Sequence, residues 1–327
     1  MLIQNKIFLR QKRGIGDLFN TVFSLVRQNF KVIAGALLMV AGPFILLTSV
    51  VSALLQATVM EEIKEFTELV FREGSTQYLS DLFTRNWMWF LVVWFFGLLA
   101  FSFIRATTSN FFVLYDSKTE GEELTSAEIA RKSFRDGFRI FGGVLMLSVI
   151  SLIPLALIIG LIAFPISYGG IVATIIIGFF LLLLLFAFGP QLTYIFQFSI
   201  WFSMIRDEES LFGAVKNTFK NIKGKFWQTW VLMTGIFFIV SILNYITAIP
   251  VGIYSQISVF TRTNELNSGS VSLLYVVLFV FSQFGSNFFQ CLGDLMVIVS
   301  YYSFEEEKTG AGLQSRIEEI GKDNPSE

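Results

Sequence analysis

Hydrophobic positions in this chain gather into six long runs, at about residues 32–55, 87–115, 140–166, 170–204, 227–254 and 271–302, with short polar intervals between them. Each run exceeds the ~18 apolar residues that read as a membrane span. A backbone in hydrocarbon must satisfy its own N–H and C=O groups, so each run is predicted to be a helix. The second, fourth and sixth runs are longer than the roughly 20 residues a bilayer needs, and are expected to tilt, kink or protrude. Gly189-Pro190 predicts a bend in the fourth run; Pro43, Pro154 and Pro250 predict bends in the first, third and fifth.

A second pattern sits just before the odd-numbered runs. The stretches "IGDLFNTVFSLVRQNFK", "SAEIARKSFRDGFRIFG" and "SLFGAVKNTFKNIKGKFW" align on Phe30, Phe141 and Phe226. Seven residues earlier stand Phe23, Phe134 and Phe219; four earlier, Val26, Gly137 and Ile222; eleven earlier, Phe19, Ala130 and Val215. Such spacing marks one face of a helix. The other face carries Arg27 and Lys31, then Arg131, Lys132 and Arg135, then Lys216, Lys220 and Lys223. A helix of this kind lies in the membrane interface, so these phenylalanines are expected to dip into the leaflet or pack under the bundle. Thr125 and Glu128 form a capping-box pattern at the start of the middle stretch.

The expected architecture is therefore an all-α integral membrane protein with six transmembrane helices as three helical hairpins, each preceded by an amphipathic interfacial helix. The whole chain reads as one membrane domain, with units at about 15–116, 125–206 and 210–303 and a tail at 304–327. Each unit would hold two spans, so the copies would be parallel repeats about an axis along the membrane normal. Two origins meet the pattern: true triplication, and the common demand that any helix at a membrane edge be amphipathic and basic.

Composition agrees with the class. Hydrophobic residues make up 54% of the 327 and charged residues 15%, where soluble domains carry about 25% charge. The net charge of −1 gives no pointer to nucleic acid, and none is expected as a partner. Charge is instead distributed by side. Alternate polar segments hold 19 of the 24 Lys and Arg residues; the remaining loops hold Lys64, Arg72, Arg85 and Arg262, and Arg105 lies in a span. By the positive-inside rule both termini are expected to be cytoplasmic. The 56–86 interval then faces outward, and Met60, Ile63, Thr67 and Val70 predict a short acidic helix there. The first residues lack an apolar core of signal-peptide length, so no cleaved leader is expected.

Chemistry is sparse. The chain has no histidine, the commonest general base and metal ligand, and one cysteine, Cys291, so no disulfide framework. No metal-ligand or phosphate-loop motif occurs. No catalytic residue, cofactor or metal is therefore assigned. Ionisable groups inside spans are functional candidates by default. Arg105 and Asp294 stand at similar depths in the second and sixth runs and are close enough in level to pair if those spans touch. Asp294 ends a stripe through Gln283, Ser286, Asn287 and Gln290; Ser102 and Ser109 flank Arg105; Gln191 and Thr193 follow Pro190. Two readings meet these stripes: hydrogen-bonded glue between helices, or the lining of a wet path. A single intramembrane carboxylate argues against a proton pump. In the tail, Leu313, Ile317 and Ile320 recur at helical spacing and offer an apolar edge.

The segment "RDEESLFGAVKNTFKNIKGKFWQTWVL", followed by two spans and "YYSFEEEKTGAGLQSRIEEIG", resembles uncharacterised bacterial six-span membrane proteins. These are similar to the membrane domain attached to some glycerophosphodiester phosphodiesterases. The opening "FLRQKRGIGDLFNTVFSLVRQNFK" resembles such proteins in the Bacteroidota, whose genes often neighbour a MoxR-type AAA+ ATPase and other small membrane proteins. The resemblance implies a bacterial inner-membrane location and membrane-protein partners. It carries over no catalytic residue, because the phosphodiesterase domain is absent from this sequence. The function expected is a non-catalytic polytopic subunit or scaffold, with a transporter or lipid-handling channel as the alternative.

Overall fold

A computed structural model of the protein describes residues 6–56, 77–164, 170–260, 273–310 and 313–314. Every regular element among them is a helix: α1 (Ile15–Val40), α2 (Gly42–Gln56), α3 (Gln77–Ser117), α4 (Ser126–Phe164), α5 (Gly170–Leu192), a π-helix (Thr193–Ser199), α6 (Ile200–Arg206), α7 (Leu211–Ile222), α8 (Phe226–Phe260) and α9 (Leu273–Thr309). Six helical stretches are long and apolar enough to cross a membrane, namely Ile15–Val40, Thr84–Ser117, Ser126–Ile153, Ile175–Arg206, Phe226–Ile257 and Leu273–Thr309. The chain is thus an all-α, multi-span membrane protein. At 1.5 Å per residue, α3, α4 and α9 are each about 55–60 Å long, well beyond a hydrocarbon core of about 30 Å. The helix expected around Met60–Val70, and Ile317 and Ile320 of the tail, lie outside the described residues.

Prolines shape these helices unequally. The first run forms two helices. Ala41 closes α1, its N–H bonding the Leu37 carbonyl at 2.9 Å, and Pro43 sits in the first turn of α2, where a missing N–H is tolerated. In α5, Pro190 cannot donate to the carbonyl of Phe186; the indole N–H of Trp230 does so from α8, at 3.2 Å. A π-helical turn follows from Thr193. By contrast, α4 and α8 pass through positions 154 and 250 as continuous helix.

The three Lys/Arg-rich segments also differ from one another. The first two are continuous with the span that follows, inside α1 and α4; only the third is a separate helix, α7. Gly224 explains the break. Its φ of +83° lies in the left-handed region that glycine enters freely, whereas Gln28 and Arg139 occupy the aligned positions. At the other ends, Ser210 caps α7 and Thr125 Oγ1 accepts the Glu128 N–H at the start of α4. The Glu128 carboxylate does not reach back to complete the box; it pairs with Lys118 at 2.6 Å.

The inward face of these segments is not the aromatic ladder. Leu18, Val22, Leu25 and Asn29 are buried in α1; Ile129, Ser133, Asp136 and Ile140 in α4; Ala214, Thr218 and Asn221 in α7. This stripe runs one residue ahead of the phenylalanines, in the same register in all three. Phe23, Phe30, Phe134, Phe219 and Phe226 are exposed, and Phe141 is half-buried.

Two helices form the centre. Residues 102–112 of α3 and 291–304 of α9 are buried all round, the state expected of a helix packed on every side. α5 is their opposite: Ile175, Phe179, Leu182 and Leu185 all face outward.

Candidate functional site

The centre of the molecule holds a charge pair. Arg105 from α3 donates through Nη1 to Asp294 Oδ2 of α9 at 2.5 Å, and both side chains are 2% exposed. Arg105 Nε donates to the Gln197 carbonyl at 2.9 Å. The guanidinium is stacked between Phe101 and Phe198, whose ring centres lie 4.5 and 4.4 Å from Cζ. Rings on both sides suit a flat, weakly hydrated cation removed from water. Nη2 has no hydrogen-bond partner.

The local backbone makes this possible. A π-turn spaces its carbonyls differently from an α-helix and tends to occur where side chains need them. Here two successive carbonyls are taken by side chains: Gln197 by Arg105, and Phe196 by the Trp201 indole at 3.0 Å. Gly293 lets the ring of Phe198 approach α9, where any added Cβ would lie 3.0 Å from that ring. One guanidinium thereby joins α3, the π-turn and α9.

Other buried polar groups cross-link the same helices. Asn110 Nδ2 donates to Asp136 Oδ2 at 2.9 Å, joining α3 to α4. Tyr194 and Ser300 share a hydrogen bond of 3.0 Å between the π-turn and α9. Asn221 donates to the Tyr301 carbonyl at 3.3 Å, tying α7 to α9. The hydroxyls of Ser102, Thr107 and Thr108 return to carbonyls of their own helix. Sequence reasoning passed over Asn110, Asp136 and Tyr194. Asp136 carried a signal: it is the acid that shares the register of Leu25 and Asn221.

The remaining stripe residues separate. Gln191 is buried and donates to the Phe226 carbonyl at 3.0 Å, adding a second tie between α5 and α8. Gln283 and Asn287 are half-buried, Asn287 donating to the Gln283 carbonyl within α9, and Gln290 is exposed. The line that looked continuous from Gln283 to Asp294 therefore enters the core only at its last member.

Charges collect at one end of the bundle. Residues 6–13 cross the ends of α3 and α9: Ile7 N–H donates to the Tyr115 hydroxyl, Arg10 pairs with Asp116 at 3.1 Å, and Arg13 N–H donates to Ser303. Arg206 pairs with Glu305 at 2.6 Å and lies near the rings of Phe202, Tyr301 and Tyr302. Lys225 pairs with Glu307 at 2.6 Å, and Lys308 Nζ caps the last carbonyls of α7, those of Lys220 and Asn221. Burial raises the Asp207 carboxyl above the usual carboxylate range, with Arg206 opposing the shift. Leu313 is exposed and borders a shallow pocket with Arg10, Lys12 and Glu306. Among the described residues no cluster of three acidic or cysteine side chains is placed to hold a metal ion. Chemically, the central arrangement fastens helices, although Arg105 Nη2, Asn110 Oδ1 and Gln191 Oε1 are buried without a hydrogen-bond partner. No family model, no curated protein and no solved structure matches the chain.

Proposed function

We propose that the chain is a non-catalytic polytopic subunit, a scaffold, of a bacterial inner-membrane assembly. The outward stripe of α9 carries this reading. Gln283 and Asn287 are half-buried and Gln290 is exposed, on a stretch whose neighbours Val277 and Phe281 also face out. An amide facing hydrocarbon has no water to bond, so a helix that presents several invites a polar partner helix. The central charges are enclosed and bonded to each other, which fits glue better than a solute path.

In this reading the three units are helical hairpins, α1–α3, α4–α6 and α7–α9, each led by an amphipathic segment. The shared burial register of those segments supports triplication over convergence. The Lys/Arg bias puts both termini and the charged end in the cytoplasm. There a soluble partner such as a MoxR-type AAA+ ATPase, suggested by the family resemblance, would dock, while other small membrane proteins would meet α9.

The test is photocrosslinking in native membranes with a probe at position 290, compared with one at position 185 on α5. A defined membrane protein captured from 290 and absent from 185 is the expected result. Equal capture of lipid alone at both positions, together with solute flux in liposomes, would favour the transporter.

A further inference from the structure

We propose that the outer faces of the three basic segments form binding sites for acidic phospholipid headgroups at the charged end of the bundle. Like charges stand one helical turn apart in each segment: Arg27 and Lys31 in α1, Arg131 and Arg135 in α4, Lys216 and Lys220 in α7. All six side chains are exposed. Like charges four residues apart repel on a helix surface, and interleaved glutamates would have cancelled that. Here the relief does not come from the described residues. Five of the six make no ion pair with a described residue, and Arg135 only grazes Asp136 at 4.0 Å. Other cations at this end behave otherwise, for Arg10, Lys12, Arg206 and Lys225, the first two of them exposed as well, each face a carboxylate. Among the described residues one set of cations is thus neutralised and another left open.

The flanks of the same faces identify the ligand as a lipid. Beside the cations stand exposed rings, among them Phe30, Phe134 and Phe219, with Trp227 72% exposed just past α7. A free phosphate in water would leave these rings uncovered. A phospholipid covers them with its acyl chains while its phosphate meets the cations. α4 and α7 repeat both halves of this arrangement in one register; in α1 the cations stand seven residues further along the same face, with Asn20 and Ser24 at the aligned positions, so the three sites share a design but not a level. This inference does not rest on the scaffold reading, since a transporter would bind the same lipids.

The experiment compares the full chain in phosphatidylcholine nanodiscs with the full chain in an equal mixture of phosphatidylcholine and phosphatidylglycerol. It also counts retained phosphatidylglycerol by native mass spectrometry. Wild type is expected to melt at a higher temperature in the mixture, with the gain shrinking as salt is raised. The triple variant K216Q/K220Q/K223Q should bind phosphatidylglycerol about a hundredfold more weakly at the α7 site, at roughly fivefold per cation. The variant K216R/K220R/K223R should restore binding, which a purely structural role for the lysines would not explain. Three results would overturn the proposal: equal melting in the two lipids, undiminished retention by the glutamine variant, or the same gain from inorganic phosphate added to phosphatidylcholine nanodiscs. The last would indicate a free-anion site.

Discussion

The two halves of α9 treat polar residues in opposite ways. From 273 to 290 no residue is buried; from 291 to 304 every one is. Gln283, Ser286, Asn287 and Gln290 belong to the first half, Asp294 and Ser300 to the second. In the buried half Asp294 bonds Arg105 and Ser300 bonds Tyr194 across helices. In the outer half the bond made is Asn287 to its own helix. One helix therefore carries polar groups that close the fold and polar groups that face away from it. Burial separates the two kinds; spacing along the sequence does not.

The sharpest way to break this comparison is at Asp294. Asp294→Asn or Arg105→Gln leaves a buried charge without its partner and should lower stability by about 3–5 kcal/mol. Replacing both, as Arg105→Gln with Asp294→Asn, should recover part of that loss. Unfolding in detergent, followed through the four variants as a cycle, checks it; simple additivity of the two single losses would show that the pair is not coupled.

Glycines offer a second contrast. A Cβ at Gly137 would lie 2.4 Å from the Phe103 ring, whereas one at Gly178 would meet nothing within 4 Å. Gly137→Val should destabilise by about 1–3 kcal/mol through overpacking. Gly178→Ala should be neutral or slightly stabilising in a helix. Melting temperatures of the two variants, measured side by side, test the difference.

On the outer half of α9, Gln290→Leu should change intrinsic stability by less than about 0.5 kcal/mol, while abolishing partner capture from a neighbouring photoprobe. A large loss of stability in the isolated protein would mean that Gln290 serves the fold. The smallest effect concerns Asp207. Its carboxyl is raised by burial, so the native state favours the protonated form, and the stability this gives at low pH is lost as pH rises through the folded value. Asp207→Asn should therefore gain slightly at neutral pH and nothing in acid. A melting series across pH reads the sign directly.

Much of the architecture was legible because hydrocarbon leaves a chain few options. Six membrane-competent helical stretches stand where six apolar runs were expected, although the first, Ile15–Val40, shares only residues 32–40 with its run, most of the rest being α2; Arg105 and Asp294 stood out through the rarity of charge in such runs. The phase of the three basic segments was less legible. Regular phenylalanines mark the inner face in a soluble protein, but next to lipid a bulky ring has no reason to turn inward. The inner register is instead held by aliphatic side chains in α1, Leu18, Val22 and Leu25, and by smaller ones where helices pack closely, Ser133, Ala214 and Thr218. The Asn110–Asp136 bond was hidden for another reason: its partners come from an apolar run and a basic segment that seemed to belong to different environments. The π-turn left only Gly189-Pro190 as a trace, and that pair predicts a bend without saying how the next turn is wound.

That turn also sets how α5 and α6 are rotated about their shared axis. A π-turn accommodates one more residue than an α-turn would, which sets everything beyond it back by about 100° relative to an unbroken α-helix of the same sequence. Upstream, Ile175, Phe179 and Leu185 look outward; downstream, residues 200–205 are all buried. Deleting a single residue between 193 and 199 would let the segment close into an ordinary helix. Because the deletion removes the one extra residue that the π-turn holds, α5 and α6 would keep their present rotation; rewinding the same residues as α-helix without a deletion would instead swing α5 by more than a quarter turn, or take α6 out of its slot beside α3. What such a deletion would remove is the spacing of the carbonyls that Arg105 and Trp201 now use.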